Sequence, residues 1–287
     1  MNRSRAGTRR VPTRHYARKR FGQHFLERQW ADKVLDKIAA RPDEVLIEVG
    51  PGRGALTYPL VEQVRRLVAI EIDRDLAAGL RTSGSANLVV LEADFLGTKA
   101  ADLYEAIGAS AETTSLRLVG NLPYNVASPI LFKCLELFES GLPLREAVVM
   151  LQREVADRIL APVGTRDYGV LAVLLRHVAD VECLLTLPPG AFRPVPQVHS
   201  SLVRLQFHEP RPRPQNLALF RELVRSVFTR RRKTLANALA PFIGSFSSGP
   251  TRVPVERAGL AVGRRPETLD VQEFVRLADA VGARAAR

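Results

Sequence analysis

Two cysteines, two methionines and one tryptophan are all that the 287 residues contain, and aromatic residues make up 6% of the chain. Cys134 and Cys183 sit in apolar surroundings without CxxC or Cys/His spacing, which excludes a disulfide framework and gives no zinc ligand set. No metal is expected, and a reducing cytoplasm is the compartment that fits. No run of eighteen apolar residues exists, so no membrane span is expected, and the Arg-rich start lacks the apolar core of a secretory signal. An acid-free basic leader also fits a mitochondrial transit peptide, but Pro12 and the direct continuation into motif-bearing sequence favour the cytoplasmic reading. Internal repeats and low-complexity tracts are absent too.

Acids are also in short supply, at 30 against 42 Lys and Arg, for a net charge of +12. The imbalance is local. Residues 1–20 hold eight basic residues and no acid, and residues 211–233 hold eight against Glu222 alone, so the remainder carries −3. A nearly neutral body with two cationic segments has the charge pattern of a polyanion-binding protein.

What the chain has in quantity is apolar residues, at 46%, enough for a large core. Apolar runs of strand length recur at Val45–Val49, Leu67–Ile72, Leu88–Glu92, Leu116–Gly120 and Ala147–Leu151. Helix-period segments such as Gln29–Ala40 and Pro129–Phe138 alternate with them, which predicts a parallel, doubly wound α/β sheet. Val181–Leu187 and Ser201–Phe207, joined by the proline-rich stretch Pro188–Pro196, predict an antiparallel pair at the sheet edge. The segment from His208 to Pro214 carries repeated prolines and reads as an extended linker. Beyond it, Leu217, Phe220, Leu223, Val224, Val227 and Phe228 share one helical face, and Asp270 with Glu273 reads as a capping pair for a last helix. The expected organisation is a basic extension (1–20), a Rossmann-like domain (21–208), a Pro/Arg-rich linker (209–215) and a small all-helical domain (216–287).

The first strand runs into Glu48-Val49-Gly50-Pro51-Gly52-Arg53-Gly54, whose alternate glycines allow a tight turn and close approach to a ligand. Glu71 follows 21 residues after Gly50 at the end of the second strand, where a carboxylate can accept both hydroxyls of a ribose. A dinucleotide site and an S-adenosylmethionine site share that geometry. The Gly-x-Gly-x-Gly spacing, the acid Glu48 before it and Asp94 after the third strand favour the sulfonium cofactor, with Asp94 reaching the adenine amino group. Asp94 also reads as a cap on the segment that follows it. Seven strands with an antiparallel ending suit a class I S-adenosylmethionine-dependent methyltransferase.

The fourth strand leads into Asn121-Leu122-Pro123-Tyr124, at the end of the sheet where open α/β folds bind ligands. An amino group on a purine is a poor nucleophile, because its lone pair is delocalised into the ring. The Asn121 side-chain oxygen and the Leu122 carbonyl are suitable acceptors for its two N–H groups. Pro123 stiffens the turn, and Tyr124 offers a flat face to a base drawn out of its helix. Amino methylation of a planar base needs no covalent nucleophile.

Several motifs together resemble the family of small-subunit (16S) rRNA adenine N6,N6-dimethyltransferases. They are Arg18-Lys19-Arg20-Phe21-Gly22-Gln23-His24-Phe25-Leu26, the glycine loop, Glu71-Ile72-Asp73-Arg74, Asn121-Leu122-Pro123-Tyr124-Asn125, Gln152 to Arg158, Phe192-x-Pro194-x-Pro196-x-Val198-x-Ser200, and Arg231-Arg232-Lys233-Thr234-Leu235-x-Asn237. The resemblance covers nearly the whole chain. It implies S-adenosylmethionine as methyl donor and double methylation of each of two adjacent adenosines in the 3′-terminal hairpin loop of small-subunit rRNA, late in 30S assembly. It puts the cofactor contacts at His24, Leu26, Gly50, Glu71, Asp94 and Asn121, with Gly52 in the same loop, and the target base at Tyr124 and Phe192. Arg18, Lys19, Arg20, Arg230, Arg231, Arg232 and Lys233 are expected to hold phosphates.

The family more often has asparagine at the position of His24, and lysine and aspartate at those of Gln197 and His199. An imidazole at position 24 retains one donor and can also titrate. Two competing readings are a macrolide-resistance type 23S rRNA adenine methyltransferase and a non-catalytic RNA-binding assembly factor. A monomer is expected, since a ribosomal substrate needs open access to one face.

Overall fold

The computed structural model describes residues 24–108, 115–244 and 250–285. Seven strands form one mixed sheet: β2 (Val45–Val49), β3 (Arg66–Glu71), β4 (Leu88–Glu92), β5 (Leu116–Asn121), β6 (Leu144–Gln152), β7 (Ala179–Leu187) and β9 (Ser200–Phe207), in the order β4-β3-β2-β5-β6-β9-β7. The five on the β4 side run parallel, and β9 is antiparallel to both β6 and β7. The predicted antiparallel ending is present, with β9 inside the sheet and β7 at its edge. The proline-rich stretch between them contains β8 (Phe192–Arg193), which pairs with β1 (Phe25–Leu26) in a separate two-stranded ribbon.

The helices between strands are α1 (Arg28–Ile38), α2 (Thr57–Val61), α3 (Arg74–Arg81), α4 (Ala100–Ile107), α5 (Ala127–Glu139), α6 (Arg153–Leu160) and α7 (Val170–Arg176). In α1, Ala31, Val34, Leu35 and Ile38 are buried at the spacing of one helical face. The expected helix over Gln29–Ala40 ends early because Ala39 turns to φ 47° and returns its N–H to the Leu35 carbonyl. Asp73 caps α3 by accepting from the Asp75 N–H.

Strand alternation splits the core into two layers, one on each face of the sheet. Ile47, Val68, Leu118 and Val149 point into one layer, and Leu46, Leu67, Val119 and Val148 into the other. The second layer is closed by α1, α2 and the β1–β8 ribbon.

No helix or strand lies between Phe207 and Leu217. The chain then forms α8 (Leu217–Thr229), α9 (Leu235–Gly244), α10 (Arg252–Arg257) and α11 (Val271–Ala285). Of the predicted apolar face of α8, Phe220, Leu223, Val224 and Val227 are buried and Leu217 and Phe228 partly so, and Asp270 and Glu273 exchange backbone-to-carboxylate bonds of 2.8 and 3.0 Å at the start of α11. These helices pack on one another and on α7. Phe220, Val224, Val227 and Phe274 belong to the same apolar cluster as Leu118 and Val173. The His177 ring lies 4.7 Å from that of Phe220, and Tyr168 meets Phe228 edge-on. The helical part is thus joined through α7 to the apolar layer on one face of the sheet.

Candidate active site

At the carboxyl ends of β2 to β5 a cavity of about 300 Å³ opens, a volume typical of a small-molecule site. The glycine loop forms one wall. Gly50, Gly52 and Gly54 have φ of 69°, 58° and 81°, so each stands where side chains are strained, as the sequence predicts. Gly120 was not singled out in the sequence, yet a Cβ there would lie 2.4 Å from the Val49 carbonyl. Its lack of a side chain lets β5 carry Asn121 close beside the glycine loop.

Three carboxylates arrive on successive strand ends. Glu71 closes β3 and accepts from the N–H groups of Gly52 and Asp73, both at 2.9 Å, which fixes its orientation. Burial raises its pKa, against the pull of those backbone donors and with the Asp73 charge adding to the rise. Glu48, in β2, is fully buried, and its Oε2 has no hydrogen-bond partner. Burial pushes this carboxyl up to about 7, opposed by the nearby Thr57 hydroxyl, which is itself buried without a hydrogen bond in this geometry, and reinforced by Glu71. Asp94 lines the cavity and also accepts from the Leu96 N–H at 2.9 Å, so the capping role is real and coexists with a place in the site. Ile72 lines the cavity with 47% of its surface exposed, an apolar platform beside Glu71.

This set fits a nucleoside carrying a cationic tail. The loop has room for a ligand, two oriented carboxylates flank it, and a buried carboxylate oxygen awaits a donor. S-adenosylmethionine supplies a ribose, an adenine, an ammonium and a sulfonium for these positions.

The target side is built by Asn121 to Tyr124. Asn121 is the last residue of β5, paired with Met150, one position inside the strand whose end was expected at Gly120. Its Nδ2 donates to the His24 carbonyl at 2.8 Å, which leaves Oδ1 as the acceptor of that amide. Leu122 is buried and ties its N–H to Met150. Tyr124 is half-buried, and its hydroxyl is 2.7 Å from the Ser200 hydroxyl.

Phe192 departs from expectation. Its side chain is fully buried in the second core layer, because β8 pairs with β1 and turns Phe192 inward opposite Leu26. It presents no face to the cavity. The ring that meets Tyr124 is that of His24, stacked at 5.1 Å between centroids and 25° between planes. Leu26 is buried at the cavity wall, and Phe25 closes over Gly52 with Arg53 stacked on it at 4.2 Å. Phe25 and Ser200 appear in the quoted motifs, but composition and spacing assign them no role, because their roles depend on contacts across the fold.

Of the expected phosphate-holding residues, Arg18, Lys19 and Arg20 lie outside the described residues. Arg230, Arg232 and Lys233 follow α8 and are exposed. Arg231 differs from them: its guanidinium donates to the carbonyls of Arg166 and Thr165 and ties the end of α8 to the loop after α6. Two shallow grooves that share Glu154 and Asp167 run from Gln197–His199 to Arg231. Among the described residues no helix is long and apolar enough to cross a membrane, and no cluster of acidic, His or Cys side chains could hold a metal.

Residues 14–274 match the family described as ribosomal RNA adenine dimethylase. A ribosomal RNA small subunit methyltransferase A of a Burkholderia species is 43% identical over 92% of both chains. The protein of that name from Xylella fastidiosa strain 9a5c is 40% identical over 92% of this chain and 96% of its own. Among solved structures, a dimethyladenosine transferase from Plasmodium falciparum aligns with a TM-score of 0.72 and 25% identity, covering 88% of this chain and 96% of that one. The 23S rRNA methyltransferase ErmE gives 0.63 and 27%, covering 90% and 99%. The chain therefore belongs to the ribosomal RNA adenine dimethylase family and is an S-adenosylmethionine-dependent rRNA adenine dimethyltransferase.

Proposed function

We propose that the protein acts on the immature small ribosomal subunit in the cytoplasm, as a monomer, and transfers two methyl groups to N6 of each of two adjacent adenosines in the 3′-terminal hairpin loop. The observation that carries this reading is Asn121 at the end of β5, its Oδ1 left as acceptor beside the three-acid cavity and the Tyr124 ring next to it.

When bound, S-adenosylmethionine supplies a methyl group on a sulfonium. Glu71 holds the ribose hydroxyls, Asp94 the adenine amino group, and Glu48 the cationic tail. Asn121 Oδ1 and the Leu122 carbonyl accept the two N–H bonds of the target amino group and localise its lone pair toward the methyl. Tyr124 stacks on the adenine and keeps its plane in line for attack. Phe25 and Arg53 close over the glycine loop and exclude water. Arg230, Arg232 and Lys233, exposed after α8, hold phosphates of the RNA.

A labelled methyl-transfer assay on unmethylated small and large subunits, with the modified nucleoside identified by mass spectrometry, tests the reading. Dimethyladenosine in the small subunit is the expected product. Transfer to the large subunit alone would assign the chain to the activity of the 23S enzymes whose fold it shares. Binding without transfer would leave an assembly factor.

A further inference from the structure

The proline-rich motif ends in Ser200, and neither cofactor binding nor proton movement explains it. Ser200 is the first residue of β9 and is completely buried, paired in register with Gln152 on one side and Leu187 on the other. Its hydroxyl therefore stands at a fixed point of the sheet, 2.7 Å from that of Tyr124. Tyr124 lies in the turn between β5 and α5, where the backbone alone does not fix the plane of the ring.

A second restraint comes from the opposite side of the chain. The His24 imidazole is stacked on one face of Tyr124. The ring itself is anchored, since Nδ1 donates to the Pro194 carbonyl at 2.7 Å, an oxygen that can only accept. The His24 carbonyl in turn holds the Asn121 amide. One residue of the β1 segment thus touches the stacking ring, the acceptor side chain and the proline-rich loop.

We propose that Ser200 and His24 are positioning residues that hold Tyr124 in a single plane, Ser200 at its hydroxyl edge and His24 against one face, and so leave the other face to the target adenine. This rests on the adenine-methylation reading above. Two short restraints on one ring remove its swing about χ1 and χ2, so the base meets a preorganised surface and the amino group arrives within reach of Asn121. Neither residue touches the reacting atoms. Their effect is on orientation, which for Ser200 is read in kcat and not in cofactor affinity, whereas His24 also lines the cofactor cavity and is read by base stacking.

The test uses the full chain and four variants: Ser200→Ala, Ser200→Thr, Tyr124→Phe and the double variant Ser200→Ala/Tyr124→Phe. Ser200→Ala should lower kcat about tenfold with S-adenosylmethionine affinity unchanged, Ser200→Thr should restore most of it, and the two losses should not add in the double variant. Parental kcat in Ser200→Ala, or additive losses, overturns the inference. A readout independent of turnover places 2-aminopurine at a target position of the RNA hairpin with S-adenosylhomocysteine present. Stacking on Tyr124 quenches its fluorescence, and both Ser200→Ala and His24→Ala should relieve part of that quenching. Stronger quenching or a higher kcat in His24→Ala would mean that the imidazole occupies the face meant for the base, and would overturn its half of the proposal. The parent enzyme is measured alongside, so a failure of the adenine reading shows as no transfer by the parent, distinct from a failure of the positioning roles.

Discussion

Buried charge lies at both ends of the parallel sheet, and the two ends treat it in opposite ways. At the amino end, Arg117 of β5 is 5% exposed and fully engaged: Nη1 reaches Glu44 at 2.6 Å, Nε and Nη2 reach Glu146 at 2.8 and 2.6 Å, and Nη2 also donates to the Ile38 carbonyl. Glu146 is further paired with Arg204 at 3.2 Å, and Glu44 with Arg41 at 3.0 Å. At the carboxyl end, some four residues along β2 from Glu44, Glu48 is equally buried and has a carboxylate oxygen with no partner. A charge that serves the fold is satisfied within the fold. The Glu48 oxygen is unsatisfied within the fold, at a cost to stability, and Glu48 lines the cavity.

The largest expected effect lies at the amino end. Arg117→Ala removes the buried partner that Glu44 and Glu146 share, leaving them more exposed partners such as Arg41 and Arg204, and should cost about 3 kcal/mol in urea unfolding, while the folded fraction keeps its methyl-transfer rate. Next comes Asn121→Ala, which should lower kcat by about 10²–10³ and leave stability and cofactor affinity largely intact, measured by labelled transfer and calorimetry. A stability loss in Asn121→Ala, or a rate loss in folded Arg117→Ala, would break the division between the two ends.

Glu48→Gln sharpens the comparison through pH. The Glu48 pKa is raised from 4.5 to about 7, so its contribution to stability is full below 4.5 and lost as pH rises through 7. Above pH 7 the ionised carboxylate costs the ligand-free protein about 3 kcal/mol. Glu48→Gln should therefore be more stable than the parent at pH 8 and closer to it as the pH falls toward 4.5, by urea unfolding without cofactor. At pH 8 it should also bind S-adenosylmethionine at least about tenfold more weakly. The smallest effect is on the surface: Lys233→Gln should reduce the slope of log K for hairpin RNA against log salt by about 1. Arg231→Gln should instead lower stability more than it changes that slope, because its donors already hold the Thr165 and Arg166 carbonyls.

Much of this was legible in the chain. The alternating apolar runs gave the sheet, and the glycines at 50, 52 and 54 gave the turn, because strand burial and positive φ are demanded residue by residue. Glu71, Asp94 and Asn121 were found from their places at strand ends. Phe192 was misassigned because a motif does not say which way a side chain points; two-residue pairing with Leu26 turned it inward. Arg231 was grouped with its exposed neighbours because a charge run looks uniform in sequence, whereas two backbone carbonyls single it out in space. The helical segment after the prolines reads as a separate domain, but amphipathic spacing marks a buried face without saying against what, and part of that face meets His177 and Tyr168 at the ends of α7.

The sequence by itself therefore determined the doubly wound fold, the methyl donor and the place of Asn121 at a strand end, all of which follow from local spacing along strands and turns. Only the tertiary structure decided which buried carboxylate is paired and which is open, and which ring stacks on Tyr124. Those outcomes are set by side chains that meet across separations such as the 97 residues between Asn121 and His24 or the 76 between Tyr124 and Ser200, distances at which local pattern carries no information.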